Sequence, residues 1–143
     1  MPHLVIEYTA NLEPDIGIDA LCATLAAVLV AQRDAGGGPL FPIGGTRVLA
    51  YPARAFAVAD GGADRAFVYL NARIASGRSA SAVQQVGDAL LAAVKSHFAA
   101  IFASRPVGIT LQIDEGAQAF DAKHSNLHAL FEPAAGIAPG QKS

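Results

Sequence analysis

The same order of signals occurs twice in this chain: a strand run, a polar turn, a long alanine-rich helix with an apolar stripe, and a second strand. Val5-Ile6-Glu7-Tyr8 opens the first unit and Phe67-Val68-Tyr69-Leu70 the second. Residues 47–51 close the first and residues 107–113 the second. Two such units of about sixty residues predict a duplicated α+β fold with a pseudo-twofold relation. A right-handed crossover makes the two strands of each unit parallel. The units then join into one mixed sheet with two helices on one face. The other face must be covered, most simply by further subunits. The expected domain is 2–131, with halves over about 2–60 and 64–118 and a flexible tail over 132–143.

The bulk properties fit that picture. A chain of 143 residues suits one domain with a workable core. It is 52% hydrophobic and 15% charged, with a mean hydropathy of +0.36, so some apolar surface is expected to lie between subunits. A net charge of −2 gives no basic excess, which argues against a nucleic-acid partner. The longest apolar stretch, 20–31, includes Thr24 and is too short for a membrane span. The first residues lack the basic start and apolar middle of a signal peptide, so a cytoplasmic place is expected. Cys22 is the only cysteine, which excludes an intrachain disulfide.

Along the chain, residues 4–8 read as the first strand. Ile18, Leu21, Cys22, Leu25, Val28 and Leu29 recur at helical spacing and form one stripe. Cys22 lies in that stripe and reads as a core residue, not a nucleophile. Gly36-Gly37-Gly38 lacks the Gly-Lys-Ser/Thr ending of a phosphate loop and follows a helix, so it reads as a flexible connection. Strands are predicted over 46–51, 55–59 and 66–74, with Asp60-Gly61-Gly62 as a turn. A second helix starts with Ser79 or Ser81 as N-cap, Ser81 and Gln84 matching a capping box. Its stripe is Val83, Val86, Leu90, Val94, Phe98 and Ile101. Val107, Ile109, Leu111 and Ile113 then alternate with polar or small residues, a half-buried strand.

The head of the first strand carries the chemical signal. Proline directly follows Met1 in Met1-Pro2-His3. A small second residue lets an aminopeptidase remove the initiator, leaving Pro2 with a free secondary amine. A free α-amine has a reference pKa near 8, and burial or a nearby cation lowers it further. Anchored in a strand, it becomes a general base that needs no side chain. The bland alternative is a proline that merely follows the initiator.

The amino-terminal proline, the two units and arginines near strand ends resemble the tautomerase superfamily. Within it, the chain is most similar to the 5-carboxymethyl-2-hydroxymuconate isomerase family. The resembling stretches, in order, are Met1-Pro2-His3, Phe41-Pro42 with Gly45 and Arg47, Ala66-Phe67-Val68, Gly77-Arg78-Ser79, Gln84-Gln85, His97-Phe98-Ala99 and Asn126-Leu127-His128-Ala129-Leu130-Phe131. The resemblance implies a homotrimer and no cofactor. It implies a small-molecule substrate, an unsaturated 2-hydroxy or 2-keto acid with two or three carboxylates. Such acids arise in the bacterial meta-cleavage of homoprotocatechuate. The implied reaction moves a proton and a double bond. The connection over 33–39 is longer and richer in glycine than the family's usual one.

That resemblance implies Pro2 as base, with Arg47 and Arg78 as catalytic cations. A guanidinium grips a carboxylate bidentately and lowers a nearby amine's pKa. Arg47 is assigned to the 2-keto or 1-carboxylate end and Arg78 to a distal carboxylate. A cation beside a helix start is unfavourable there and calls for a local anion or ligand. Phe41 is a candidate apolar wall, His3 a neighbour able to tune the base, and Arg73 a supporting cation. Core packing for Phe41 and solvation for Arg73 are the alternatives. The four histidines show no paired metal-ligand motif, and no Gly-x-Ser-x-Gly elbow occurs. Two other readings stay open. One is a different proline-based reaction, phenylpyruvate-type tautomerisation or haloacrylate dehalogenation with Asp114 or Glu115 activating water. The other is a non-enzymatic trimeric module.

Overall fold

The computed structural model describes residues 1–132. The chain starts with strand β1, His3–Thr9, which buries Leu4, Ile6 and Tyr8 on one face and turns His3, Val5 and Glu7 to the other. Period-two alternation of this kind is what sets a strand on a core. A 3-10 turn, Ala10–Leu12, leads to the short helix α1, Glu13–Ile16, and then α2, Ile18–Val30. The break between them is Gly17 at φ +56°, a left-handed conformation that glycine adopts without Cβ strain. The Ile16 carbonyl beside this break accepts a hydrogen bond from His97 Nε2 at 2.6 Å, so His97 is a structural cap. Helix α2 buries Leu21, Leu25 and Leu29. Each buried leucine contributes roughly 2 kcal/mol, so packing rather than capping holds this helix.

Strand β2, Arg47–Ala53, returns parallel to β1. Strand β3, Ala66–Ala75, lies antiparallel to β1 on its other side. Helix α3, Ala80–His97, and the short α4, Ala99–Ser104, lead to β4, Val107–Gly116, parallel to β3. The sheet order is β2-β1-β3-β4. The topology is the expected α+β one: each β-α-β unit supplies a parallel pair, and the units meet as an antiparallel pair. Val86, Leu90 and Val94 of α3 join the leucines of α2 over the face formed by Leu4, Ile6, Val68 and Leu70. The opposite face carries His3, Val5 and Glu7, with Arg47, Leu49 and Tyr51 from β2 and Tyr69, Asn71 and Arg73 from β3.

Four expectations are corrected. Residues 55–59 form no strand, because β1 ends at Thr9 and leaves no neighbour for a ladder beyond Ala53. The glycine-rich connection is a tied turn: the Asp34 carboxylate accepts from the Gly36 and Gly38 amides, each at 2.9 Å. Of the two N-cap candidates Ser79 caps α3, its Oγ accepting from the Ala82 amide at 3.1 Å, and the capping box of Ser81 with Gln84 is replaced by a bond from Gln84 to Asp88. The second helix breaks at Phe98, although its apolar stripe runs on to buried Ile101. Of the expected tail, all but Glu132 lies outside the described residues.

Candidate active site

The strand register places the predicted residues before any side chain is considered. His3 pairs with Arg47 of β2 and with Arg73 of β3, and Arg73 pairs with Asp114 of β4. One row across the sheet therefore reads Arg47, His3, Arg73, Asp114, all on the face away from the helices. Pro2 sits immediately before this row. It is buried, and its carbonyl accepts from the Arg47 amide at 3.3 Å. The head of β1 is thus pinned by backbone pairing, as a positioned terminus requires.

Arg47 Nε donates to His3 Nδ1 at 2.7 Å. That bond makes Nδ1 the acceptor, so the ring is neutral with its proton on Nε2. Burial, and then the Arg47 charge, hold the His3 pKa below its ordinary 6.5. The Arg73 guanidinium has no hydrogen-bond partner among the described residues. It passes close to Gly116, where an added Cβ would lie 3.1 Å from Arg73 Nη2.

His3, Arg47 and Arg73 line a cleft of about 380 Å³, with Met1 and not Pro2 at its amino-terminal side. Its other wall is the stretch after β4, including Asp121, Lys123, His124 and Leu127. A 3-10 turn, Ile43–Gly45, forms the floor near the amino terminus. Met1 is packed onto that floor so tightly that a Cβ on Gly45 would lie 2.6 Å from Met1 Cε. The amino-terminal amine sits below its ordinary value of 8.0. Burial is the main cause, followed by the charges of Arg78, Lys123 and Arg47, with Asp121 opposing. A buried strand head beside a cationic cleft is suited to proton transfer on an anionic substrate.

A family model for 5-carboxymethyl-2-hydroxymuconate isomerase matches residues 2–131. The chain belongs to that family. A curated relative from Escherichia coli, 5-carboxymethyl-2-hydroxymuconate Delta-isomerase, is 32% identical over 132 residues, spanning 92% of this chain and 100% of the relative. A crystal structure of a 5-carboxymethyl-2-hydroxymuconate delta-isomerase superposes with a TM-score of 0.89 at 45% identity, covering 93% of this chain and 94% of that one. A 5-carboxymethyl-2-hydroxymuconate isomerase from Deinococcus radiodurans R1 superposes with a TM-score of 0.82 at 39% identity, covering 92% and 95%. The match to the isomerase family includes every residue of the cleft except Met1.

Three candidates of this isomerase-family chain stand apart from the cleft lining: Pro2, buried at the head of β1, and Arg78 and Phe41. Arg78 donates to the carbonyls of Ala75 at 3.0 Å and Leu40 at 3.2 Å. Its Cζ lies 4.8 Å from the centre of the Phe41 ring. Two carbonyls and a π face therefore supply the negative environment that a cation beside a helix start needs. Arg78 also borders a second, open concavity between α3 and β4 that contains Asp88 and Glu115. Phe41 is 1% exposed in this chain and belongs to the core, so it is a platform for Arg78 and no wall of the cleft. Sequence reasoning gave no site role to the stretch after β4 or to the two glycines, Gly45 and Gly116, that admit Met1 and Arg73. One signal was available: Lys123 is the only lysine or arginine between residues 106 and 131.

Proposed function

We propose that the chain isomerises 5-carboxymethyl-2-hydroxymuconate, or a closely similar unsaturated 2-hydroxy acid, with the Pro2 nitrogen as general base. The observation that carries this is the buried head of β1 beside a cleft lined by Arg47, Arg73 and Lys123 with a single carboxylate, Asp121. In this reading Met1 is removed, which vacates the floor at Gly45 and exposes the secondary amine of Pro2. The amine lies in the field that depresses the Met1 amine, and that field favours its neutral, basic form.

Pro2 takes the proton of the substrate's 2-hydroxyl. The electron pair left on that oxygen forms a carbonyl, the conjugated double bonds move one position along, and the far carbon takes a proton back from Pro2. No redox partner or cofactor enters the balance. Arg47 holds the 2-oxygen or its neighbouring carboxylate, His3 fixes the Arg47 side chain, and Arg73 takes a further carboxylate. Arg78, on its Phe41 platform outside the cleft lining and with two N–H groups held by carbonyls, acts on the amine through its charge. The hydrolytic alternative is less well supported, since neither Asp114 nor Glu115 lines the cleft and Asp114 accepts from Asn71 at 2.9 Å.

The protein works as a homotrimer in the cytoplasm, within the bacterial meta-cleavage of homoprotocatechuate. Among the described residues, no helix is long and apolar enough to cross a membrane.

The test is ultraviolet absorbance of 5-carboxymethyl-2-hydroxymuconate turnover by protein whose intact mass lacks Met1. Pro2→Ala is expected to lower kcat about a hundredfold or more while leaving Tm nearly unchanged. The acidic limb of kcat/KM should have its midpoint below 8. Unchanged turnover by the variant would reject the proline base.

A further inference from the structure

We propose that Lys123 is a carboxylate ligand of the cleft, and that Asp121 occupies it in the free chain until a substrate carboxylate displaces it. This rests on the isomerase reading for its natural substrate, and on the geometry of the cleft for the binding itself.

The cleft presents three cationic side chains, each in a different condition. Arg47 is committed to His3 and directs Nη1 to the Gly45 carbonyl. Arg73 lacks a hydrogen-bond partner among the described residues. Lys123 is ion-paired with Asp121, the only acidic residue of the lining. Both members of that pair are about half exposed, at 50% and 49%. They lie two residues apart on an irregular stretch, so their pairing is local and does not bind that stretch to the sheet. An exposed ion pair contributes little and exchanges readily for a better anion.

The name of the family's substrate describes a tricarboxylate: a muconate has two carboxylates and the carboxymethyl group adds a third. Three cations facing one cleft match that charge only if Asp121 gives up Lys123. Lys123 also lies near the reacting end. Its charge ranks ahead of that of Arg47 among the causes that lower the amino-terminal pKa. The stretch bearing it is anchored at the cleft floor, where His128 packs on Gly44 so closely that a Cβ there would lie 2.9 Å from His128 Cα.

The test is calorimetric titration of the full chain with two probes, propane-1,2,3-tricarboxylate and pentanedioate, at constant ionic strength. The wild type should prefer the tricarboxylate. Lys123→Ala should weaken that probe about tenfold and the dicarboxylate far less. Lys123→Arg should restore binding, and Asp121→Asn should tighten it, a gain that a merely structural pair would not produce. Equal binding of both probes by the wild type, or an unchanged profile in Lys123→Ala, would overturn the proposal. In turnover, Lys123→Ala should raise KM more than it lowers kcat. A wild type without turnover that still prefers the tricarboxylate through Lys123 would sink the isomerase reading and keep this one.

Discussion

At the scale of single residues, the contact between Arg47 and His3 has a definite electrostatic sign. Arg47 Nε–H points at His3 Nδ1, and only a neutral ring can receive it. Protonating that nitrogen would set two donors face to face beside a fixed positive charge. The His3 pKa is therefore lowered, by burial first and Arg47 second. The unfolded chain then binds the proton more readily than the folded one near pH 6.5 and below. Stability follows: it is intact above 6.5, and it falls as acidification takes pH through that value towards the folded pKa. Proton NMR titration should place the His3 midpoint below 6.5. Arg47→Ala should raise it only part of the way back, because burial remains. A midpoint at or above 6.5 in the wild type would show that the pair does not form in solution.

At the scale of elements, the closing stretch after β4 is held where two 3-10 turns meet, Ile43–Gly45 and His128–Phe131. Gly44 makes that meeting possible, since the nearest atom to an added Cβ is the His128 backbone, which cannot swing aside. Gly44→Ala should therefore lift the closing stretch without touching the core. Limited proteolysis should cut between residues 117 and 127 severalfold faster, while Tm stays within a few degrees. Equal cleavage would mean that something else seats the stretch. The same elements show what could be read from the sequence. Strands and helices were legible where a period of 2 or 3.6 records burial, as in Leu4, Ile6, Tyr8 and in Leu21, Leu25, Leu29. Residues 55–59 are an equally apolar short run and still form no strand, because pairing depends on a neighbour that local pattern does not encode. Pro2, His3, Arg47 and Arg73 could be named in advance, and the strand register brings the last three into one row. The carbonyl of Leu40 that engages Arg78 lies 38 residues away in sequence, and the aperiodic stretch with Lys123 carries no pattern at all. Long-range approach of this kind is fixed by packing, so the sequence leaves no local trace of it.

At the scale of the whole molecule, the sheet face away from the helices poses the remaining problem. Behind the row of Arg47, His3 and Arg73 stand the pairs Leu49 with Val5 and Tyr51 with Glu7. Leu49 is 37% exposed and Tyr51 52% exposed in the single chain. The stretch after β4 adds Phe120 and Leu130, more exposed still. Among the described residues, strands β2 and β4 are also sheet edges with unpaired backbone groups. Apolar side chains, open edges and the candidate site all lie on or beside one surface. A neighbouring subunit covering that face would bury the first, pair the second and wall the third against water. For the homotrimer proposed above, light scattering should give three chain masses per particle. Leu49→Glu, which sets a charge in the middle of that face while leaving the helix-side core intact, should shift the particle towards one chain mass. If the assembly walls the cleft, turnover should fall in proportion to the dissociated fraction and recover at high protein concentration. A wild type that is monomeric and fully active would show that the cleft is complete within one chain.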